Sequence, residues 1–233
     1  MSLLTSYRSS SDGESSAVTP FSGRSTRSDD EFRLIKWHFL ASASPDDVSG
    51  KNPRVILITS ARAGEGKSYI AHHLAANFAL DPHIELTLID ANFDHPALGT
   101  SSWMGGGSDG PGLLDYLESN GTDQSSVIKS TGLSNVKVIL SGGNRENSPE
   151  LLASDRLGQL LASLAGRSNS FVIIDGGPVL AGGGAAVLAR HAGHVAFVIA
   201  TNTTSRSDIT SGLAALDRIA GPIDEKSIGL IFN

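Results

Sequence analysis

The stretch that decides the fold is Val55-Ile-Leu-Ile-Thr-Ser-Ala-Arg-Ala-Gly-Glu-Gly-Lys-Ser68, an apolar run followed by a glycine-rich turn and a lysine-serine pair. An apolar strand that leads through such a turn into a helix is the order that a phosphate-binding P-loop requires. Gly64 and Gly66 supply the backbone freedom that lets several N–H groups point at one anion. The usual pattern G-x-x-x-x-G-K-[ST] is met except at its first position, where Ala61 replaces glycine.

The P-loop motif assigns a role to each of its residues. Lys67 is expected to reach the β- and γ-phosphates of a nucleoside triphosphate, and the Ser68 hydroxyl to ligate a magnesium ion that bridges them. The sequence therefore predicts ATP and Mg²⁺ as ligands. The other candidate nucleotide contacts are the turn and the first helical positions: Arg62, Ala63, Gly64, Glu65, Gly66 and Tyr69.

A dinucleotide-binding turn is the main alternative for this stretch. Gly64 and Gly66 have the spacing that begins G-x-G-x-x-G, and an acidic residue, Asp90, follows at about the expected distance. The third glycine position, however, holds Tyr69, and a lysine directly after the second glycine suits a triphosphate better. A glycine turn with a structural role alone is a further alternative.

Composition limits the classes of function. With 233 residues, 39% of them hydrophobic, the chain can bury one sizeable core. A net charge of -6 predicts no nucleic-acid partner and no global attraction to an anionic membrane. The absence of cysteine excludes disulfides, thiolate metal sites and a cysteine nucleophile. No apolar run reaches the roughly 20 residues that a membrane-spanning helix needs.

The pattern along the chain predicts a tail and one domain. Residues 1–28 are rich in Ser, Thr, Gly and Arg, which predicts a disordered tail, and residues 29–233 form the predicted nucleotide-binding domain. From Pro53 onward, apolar strands alternate with helices, which predicts an α/β fold of the P-loop NTPase type: a mostly parallel sheet with helices on both faces. Strands are expected near 55–59, 84–90, 136–140, 171–175, 195–200 and 227–232, and helices near 29–41, 67–80, 112–119, 149–165, 184–191 and 207–219.

Two predicted strands end in an aspartate. Leu86-Thr-Leu-Ile-Asp90 and Phe171-Val-Ile-Ile-Asp175 place these carboxylates at the carboxyl ends of their strands. In an open parallel sheet those ends line the ligand crevice, where carboxylates hold magnesium and orient the acceptor. Each aspartate taken alone could instead cap a turn or a helix.

Three motifs in order resemble those of a known family, the bacterial tyrosine kinases. Ser60–Ser68 is similar to that family's Walker A motif, Leu88–Pro96 to its second Walker-like motif, and Phe171–Pro178 to its Walker B motif. Further segments also resemble the family: Gly112–Leu117, Ile139–Gly143, Asn147–Ser154 and Ile228–Asn233.

This resemblance implies an ATP-dependent protein tyrosine kinase that regulates exopolysaccharide or capsular polysaccharide biosynthesis. It implies that Lys67, Asp90 and Asp175 are catalytic and that Ser68, Asp90 and Asp175 hold the metal. It also implies a cytoplasmic protein at the inner face of the cell membrane, bound there to a membrane polysaccharide co-polymerase that regulates chain length. The helix with Asp30, Arg33 and Lys36 resembles the family's oligomerisation motif, which implies a homo-oligomer.

The chain also departs from the family pattern. Asn92 stands where the second aspartate of a pair is expected, Asp94 occupies a usually basic position, and Gly176-Gly177 replaces a Thr-Pro pair. The tyrosine-rich C-terminal tail is missing, and the three tyrosines are Tyr7, Tyr69 and Tyr116. Tyr7 in the predicted tail is a candidate acceptor.

These departures leave two alternatives to the kinase. The first is a non-catalytic, nucleotide-dependent regulator of a membrane polysaccharide co-polymerase. The second is a partition or division-site ATPase, whose P-loop carries an extra lysine where Arg62 stands. The membrane positioners of that group have a basic amphipathic C-terminal helix, which this sequence lacks.

Overall fold

A computed structural model of the chain describes residues 27–43, 52–100, 110–119, 121–142, 146–221 and 227–233. The predicted tail up to residue 26, with Tyr7, lies outside these residues. The helices are α1 Arg27–Ser42, α2 Lys67–Ala79, α3 Leu113–Glu118, α4 Gln124–Val127, α5 Ser148–Leu152, α6 Asp155–Leu164, α7 Gly184–Leu188 and α8 Arg206–Ala220. The strands are β1 Asn52–Ser60, β2 Glu85–Ala91, β3 Lys129–Ser130, β4 Val136–Ile139, β5 Ser170–Pro178, β6 Ala192–Ile199 and β7 Ser227–Phe232.

Within the described residues, the strands form one sheet of seven strands in the order β3-β4-β2-β5-β1-β6-β7. Every neighbouring pair is parallel except the short edge pair β3 and β4. The mostly parallel sheet that the alternation predicted is thus confirmed. Because β1 lies between β5 and β6, its carboxyl end opens at the centre of the sheet edge, where the P-loop follows.

The sheet separates two apolar cores, and β1 contributes to both. Val55 and Leu57 face the core that contains α3 and α5–α8, whereas Ile56 and Ile58 face the core that contains α1 and α2. All four side chains are fully buried. Side chains of a strand alternate between the faces of a sheet, so an uninterrupted apolar strand requires helices on both sides.

Some elements differ from the sequence-based expectation. The single helix predicted over 149–165 is two helices, α5 and α6, because Ser154 adopts an extended conformation with φ -71° and ψ 148°. The Ser154 hydroxyl donates to the Leu151 carbonyl at 2.6 Å, and such local bonding competes with helix continuation. The helix predicted over 184–191 ends at Leu188, and the short elements α4 and β3 were not predicted.

Helix α1, which the family resemblance assigns to oligomerisation, packs on α2. Phe32 and Phe39 are buried in the shared core. The Lys36 ammonium is buried and donates to the Asn77 carbonyl at 3.2 Å, and burial lowers the pKa of Lys36. Arg33 pairs with Asp30 at 3.2 Å on the exposed side of the helix. A role of this helix in assembly stays a prediction.

Over the part of the chain that the structure describes, every helix is either too short or too polar to cross a bilayer.

Candidate nucleotide-binding site

The P-loop connects β1, which ends at Ser60, to α2, which begins at Lys67. Gly64 and Gly66 have φ values of 79° and 91°, in the left-handed region that glycine adopts without strain. A Cβ atom at Gly66 would also lie 2.0 Å from the Asn233 amide nitrogen. These two glycines are therefore required by the turn itself, as the sequence pattern predicted.

Lys67 lies inside the loop with only 4% of its surface exposed. Its ammonium donates to the Ser60 hydroxyl at 3.0 Å and to the Arg62 carbonyl at 3.3 Å. Burial lowers the pKa of Lys67, while the charges of Asp175 and Glu65 oppose that shift. The cation is thus held beside the turn by protein oxygens that phosphate oxygens could replace.

The two strand-end aspartates lie side by side, next to the P-loop strand. Asp90 on β2 is in register with Asp175 on β5, and Asp175 is in register with Ile58 on β1. The structure therefore brings together the residues that the sequence assigned to phosphate, metal and acceptor: Lys67, Ser68, Asp90 and Asp175.

Asp175 is fully buried, and neither of its carboxylate oxygens makes a hydrogen bond of normal geometry to a described residue. Burial raises the pKa of Asp175 to about 7; the nearby Ser68 hydroxyl and Lys67 act in the opposite direction, and Asp90 adds to the increase. A buried carboxylate whose oxygens lack well-formed hydrogen bonds is energetically unfavourable, and a bound cation would relieve this.

Asp90 is equally buried but is hydrogen-bonded. Its Oδ1 accepts the Asn92 N–H at 3.1 Å, and its Oδ2 accepts the Leu98 N–H at 3.2 Å. Burial raises the pKa of Asp90 to about 6, against the lowering effect of these bonds. Asp90 therefore has the contacts of a turn cap, the alternative that the sequence left open, in a position beside a candidate metal ligand.

A cleft of ≈ 260 Å³ opens beside the aspartate pair. Asn92 and Asp94 line it after β2, Gly177 after Asp175, and Ser148 at the start of α5. Asn92 itself is buried, with 7% of its surface exposed. The cleft lies at the carboxyl ends of β2 and β5, against residues that closely follow Asp90 and Asp175 in the chain.

These residues fit a nucleotide with magnesium. Carboxylate and hydroxyl oxygens are the ligands that Mg²⁺ prefers, and Asp175 supplies a buried carboxylate without a hydrogen bond of normal geometry among the described residues. The glycine turn leaves space on its outer side, because a Cβ at Gly64 would meet no atom within 4 Å. Ser68 and Asp175 would hold the ion, with Asp90 in the neighbouring position.

Two residues near the start of α8, Thr204 and Asp208, contact the P-loop, and the sequence did not identify them. The Arg62 guanidinium donates to Asp208 at 2.8 Å, and the Glu65 carboxylate accepts the Thr204 hydroxyl. The hydrogen bond from Arg62 lowers the pKa of Asp208 to about 2. The partners are 146 and 139 positions apart in the chain, so no local pattern could have identified them.

No protein-family model matches the chain, but curated relatives do. The chain is 30% identical over 168 residues to tyrosine-protein kinase wzc of Salmonella typhimurium, which aligns 70% of this chain with 22% of that protein. It is 26% identical over 204 residues to the putative tyrosine-protein kinase CapB of Staphylococcus aureus, which aligns 88% of this chain with 83% of that protein. The chain thus spans about a fifth of the Salmonella relative.

Solved structures agree with these relatives. The chimerical protein CapA2B2 matches with a TM-score of 0.79 and 25% identity, over 99% of this chain and 93% of that one. The kinase domain of the Escherichia coli tyrosine kinase ETK matches with a TM-score of 0.72 and 25% identity, over 88% and 74%. A ParA family ATPase from Chlorobium tepidum, with 21% identity over 77% and 73% and a TM-score of 0.61, shares the fold alone. The resemblance to bacterial tyrosine kinases is confirmed in sequence and in structure.

Proposed function

We propose that the chain is an ATP-dependent, tyrosine-kinase-like phosphotransferase that regulates exopolysaccharide or capsular polysaccharide biosynthesis or export. The observation that carries this proposal is the Asp175 carboxylate, which is buried without a hydrogen bond of normal geometry among the described residues and lies beside the P-loop residues Lys67 and Ser68. The similarity to proteins named tyrosine-protein kinases supports the reaction class.

Bound Mg-ATP would supply the transferable γ-phosphoryl group and the divalent charge that neutralises it. Lys67 would exchange its contacts to the Ser60 hydroxyl and the Arg62 carbonyl for phosphate oxygens, because its ammonium already lies beside the turn. Ser68 and Asp175 would hold the metal ion. The backbone N–H groups of the P-loop and the N-terminal end of α2, which carries the positive end of the helix dipole, would bind the phosphates.

The aspartates also provide the acid–base chemistry. A carboxyl group whose pKa lies close to the working pH accepts a proton efficiently, and burial raises the pKa of Asp90 to about 6 and that of Asp175 to about 7. The cleft beside them, with Asn92 and Asp94 at its wall, would admit the acceptor hydroxyl. Its proton would pass to one of these carboxylates.

The cellular setting belongs to the same proposal. We place the protein in the cytoplasm at the inner face of the membrane, bound to a membrane polysaccharide co-polymerase and assembled with copies of itself. Its motif in α1 supports the assembly, although Lys36 binds the Asn77 carbonyl within the same chain. The net charge of -6 supports a protein partner over nucleic acid.

A second candidate function is a non-catalytic, nucleotide-dependent regulator of the same co-polymerase. Asn92 favours it, because an amide replaces the second carboxylate in the cleft wall next to Asp90. In that case the P-loop would bind ATP, and the site would fail at the transfer step.

The decisive experiment is incubation of the parent chain and Lys67→Met with labelled ATP and magnesium. We expect label on tyrosine in the parent and a loss of about 100-fold or more in Lys67→Met, because a buried cation that stabilises phosphoryl charge contributes several kcal/mol. Equal label in both proteins would contradict the kinase proposal. Tight ATP binding without transfer, and transfer restored by Asn92→Asp, would favour the regulator.

A further inference from the structure

Glu65 is the only side chain of the P-loop turn 62–66 that is buried. Arg62, Ala63 and Gly64 are exposed and Gly66 is half-buried, whereas Glu65 exposes 3% of its surface. A carboxylate is rarely buried to this degree unless its oxygens are hydrogen-bonded. The fixed position of this side chain is therefore a property of the loop that the glycine pattern does not require.

The carboxylate of Glu65 joins two parts of the chain. Its Oε2 accepts the Arg62 N–H at 2.7 Å, which closes the turn upon itself. Its Oε1 accepts the hydroxyl of Thr204, which lies in the connection between β6 and α8. The Thr204 Oγ1 in turn accepts the Ala200 N–H at 3.0 Å. One side chain thus ties the P-loop to the segment that follows β6.

The backbone of Glu65 makes a second connection, to the end of β7. The Asn233 side chain donates to the Glu65 carbonyl at 3.2 Å. The Asn233 carbonyl accepts the Thr201 N–H at 3.0 Å, so the segments after β6 and β7 are themselves joined. Glu65 is the residue of the turn that contacts both.

The sheet order places this connection on the opposite side of β1 from the two aspartates. The carboxylates of Asp175 and Asp90 lie on β5 and β2, on one side of β1, whereas β6 and β7 lie on the other side. A triphosphate whose terminal phosphates face the carboxylates would extend its nucleoside away from β5 and β2, toward β6 and β7. The segment of Thr204 and the end of β7 therefore flank the part of the ligand beyond the phosphates.

We propose that Glu65 is a positioning residue. Its hydrogen bonds fix the phosphate-binding P-loop relative to Thr204 and Asn233, which form the nucleoside-binding side of the site. This inference rests on the proposed nucleotide function and adds a role to the Glu65 side chain. Its negative charge repels phosphate, so the benefit must come from geometry: a neutral side chain that keeps both hydrogen bonds should serve as well.

The test compares the affinity for ATP with the affinity for inorganic tripolyphosphate, which has the phosphates and lacks the nucleoside. Glu65→Ala is expected to weaken ATP binding about tenfold and tripolyphosphate binding about threefold or less, because it breaks a charge-assisted bond that aligns the two ends. Glu65→Gln, whose amide can accept from Arg62 and donate to Thr204, should stay within about threefold of the parent for ATP.

Thr204 provides matched variants at the other end of the bond. Thr204→Val, nearly the same size, should weaken ATP binding about fivefold, while Thr204→Ser should bind as the parent does. The double variant Glu65→Ala/Thr204→Val should lose less affinity than the sum of the two single losses, since both changes break the same Glu65–Thr204 hydrogen bond. Thermal unfolding of each variant establishes that it is folded, and Thr204→Val tests the inference even if Glu65→Ala does not fold.

Three outcomes would overturn the positioning role. The first is an equal loss of affinity for ATP and for tripolyphosphate, and the second is an additive loss of ATP affinity in the double variant. The third is an ATP affinity of Glu65→Gln as low as that of Glu65→Ala. If the parent and every variant bind ATP with equal affinity, this inference is overturned and the proposed function stands. Parent protein that binds neither ligand would overturn both.

Discussion

The ends of β2 and β5 carry the same residue in register, yet Asp90 and Asp175 have opposite environments. Asp90 accepts two backbone N–H groups, whereas Asp175 has no hydrogen-bond partner of normal geometry among the described residues. The difference comes from the course of the backbone after each aspartate. After β2 ends at Ala91, residues 92–98 turn back and present their amides to Asp90.

Strand β5 instead continues past its aspartate to Pro178, where it remains paired with β1. An extended backbone cannot turn its N–H groups back to Asp175. Gly176 permits this close course, because a Cβ there would lie 2.8 Å from the Leu57 side chain and 3.1 Å from the Ile58 carbonyl. The comparison teaches that the segment after a strand decides whether a strand-end carboxylate stabilises the fold or is left for a ligand.

The largest expected effect is that of Asp175→Asn. We expect phosphoryl transfer to fall about 100-fold or more, because the amide is a poor ligand for magnesium, while folding becomes more stable. Since burial raises the folded-state pKa to about 7 from 3.8, the native state retains a proton that the unfolded chain has lost, and stability falls as pH rises between those values. Chemical denaturation at about pH 8 should show that the free energy of unfolding of Asp175→Asn exceeds that of the parent by roughly 2–4 kcal/mol. This difference should disappear near pH 4.

A loss of stability in Asp175→Asn at the higher pH would show that Asp175 has a structural partner and would remove the contrast with Asp90.

The matching change, Asp90→Asn, should act in the opposite direction on stability. The asparagine amide can accept only one of the two N–H groups of Asn92 and Leu98, so we expect a loss of about 1–2 kcal/mol in the free energy of unfolding at neutral pH. Transfer should fall about tenfold, since the neighbouring metal position keeps Asp175. Urea titration and labelled ATP would measure the two effects on one preparation, and an unchanged stability would argue against the capping role.

The pH dependence of magnesium-supported ATP binding should separate the two carboxylates. Protonation of Asp175, with a pKa of about 7, and of Asp90, with a pKa of about 6, removes the negative charge that holds the ion. Affinity should therefore decrease about tenfold from about pH 8 to pH 6 in the parent. In Asp175→Asn, the part of this decrease in affinity that occurs around pH 7 should be absent. Calorimetry over that range, with magnesium-free controls, would reveal a flat profile if neither group titrates in the site.

The smallest expected effect is that of Asn92→Asp. An added carboxylate in the cleft wall raises the pKa of a neighbouring carboxyl group by like-charge repulsion, which should shift the pH profile of ATP binding upward by roughly half a unit. Transfer at alkaline pH should rise by about two- to fivefold if the missing carboxylate limits proton acceptance. Asn92→Ser serves as the matched neutral control, and equal rates in both variants would indicate that the charge at this position is not limiting.

The glycine turn and the apolar strand of the P-loop could be predicted from the sequence because their geometry depends on neighbouring residues alone. Positive φ values at Gly64 and Gly66 follow from the residue type, and a fully apolar β1 must be covered on both faces. The division of the helix predicted over 149–165 could not be predicted from the sequence, because one extended residue, Ser154, interrupts an otherwise helical pattern. The edge strand β3 has two residues, too few for any periodicity.

The sequence by itself determined the sheet-and-helix alternation, the anion-binding turn and the placement of aspartates at strand ends, because each depends on residue types within a few positions. Only the tertiary structure decided which aspartate is hydrogen-bonded, that Lys36 binds within its own chain, and that Glu65 reaches Thr204. These contacts join residues that are far apart in sequence or depend on how a loop turns. Their energies come from burial and hydrogen-bond geometry, which exist only once the chain has folded.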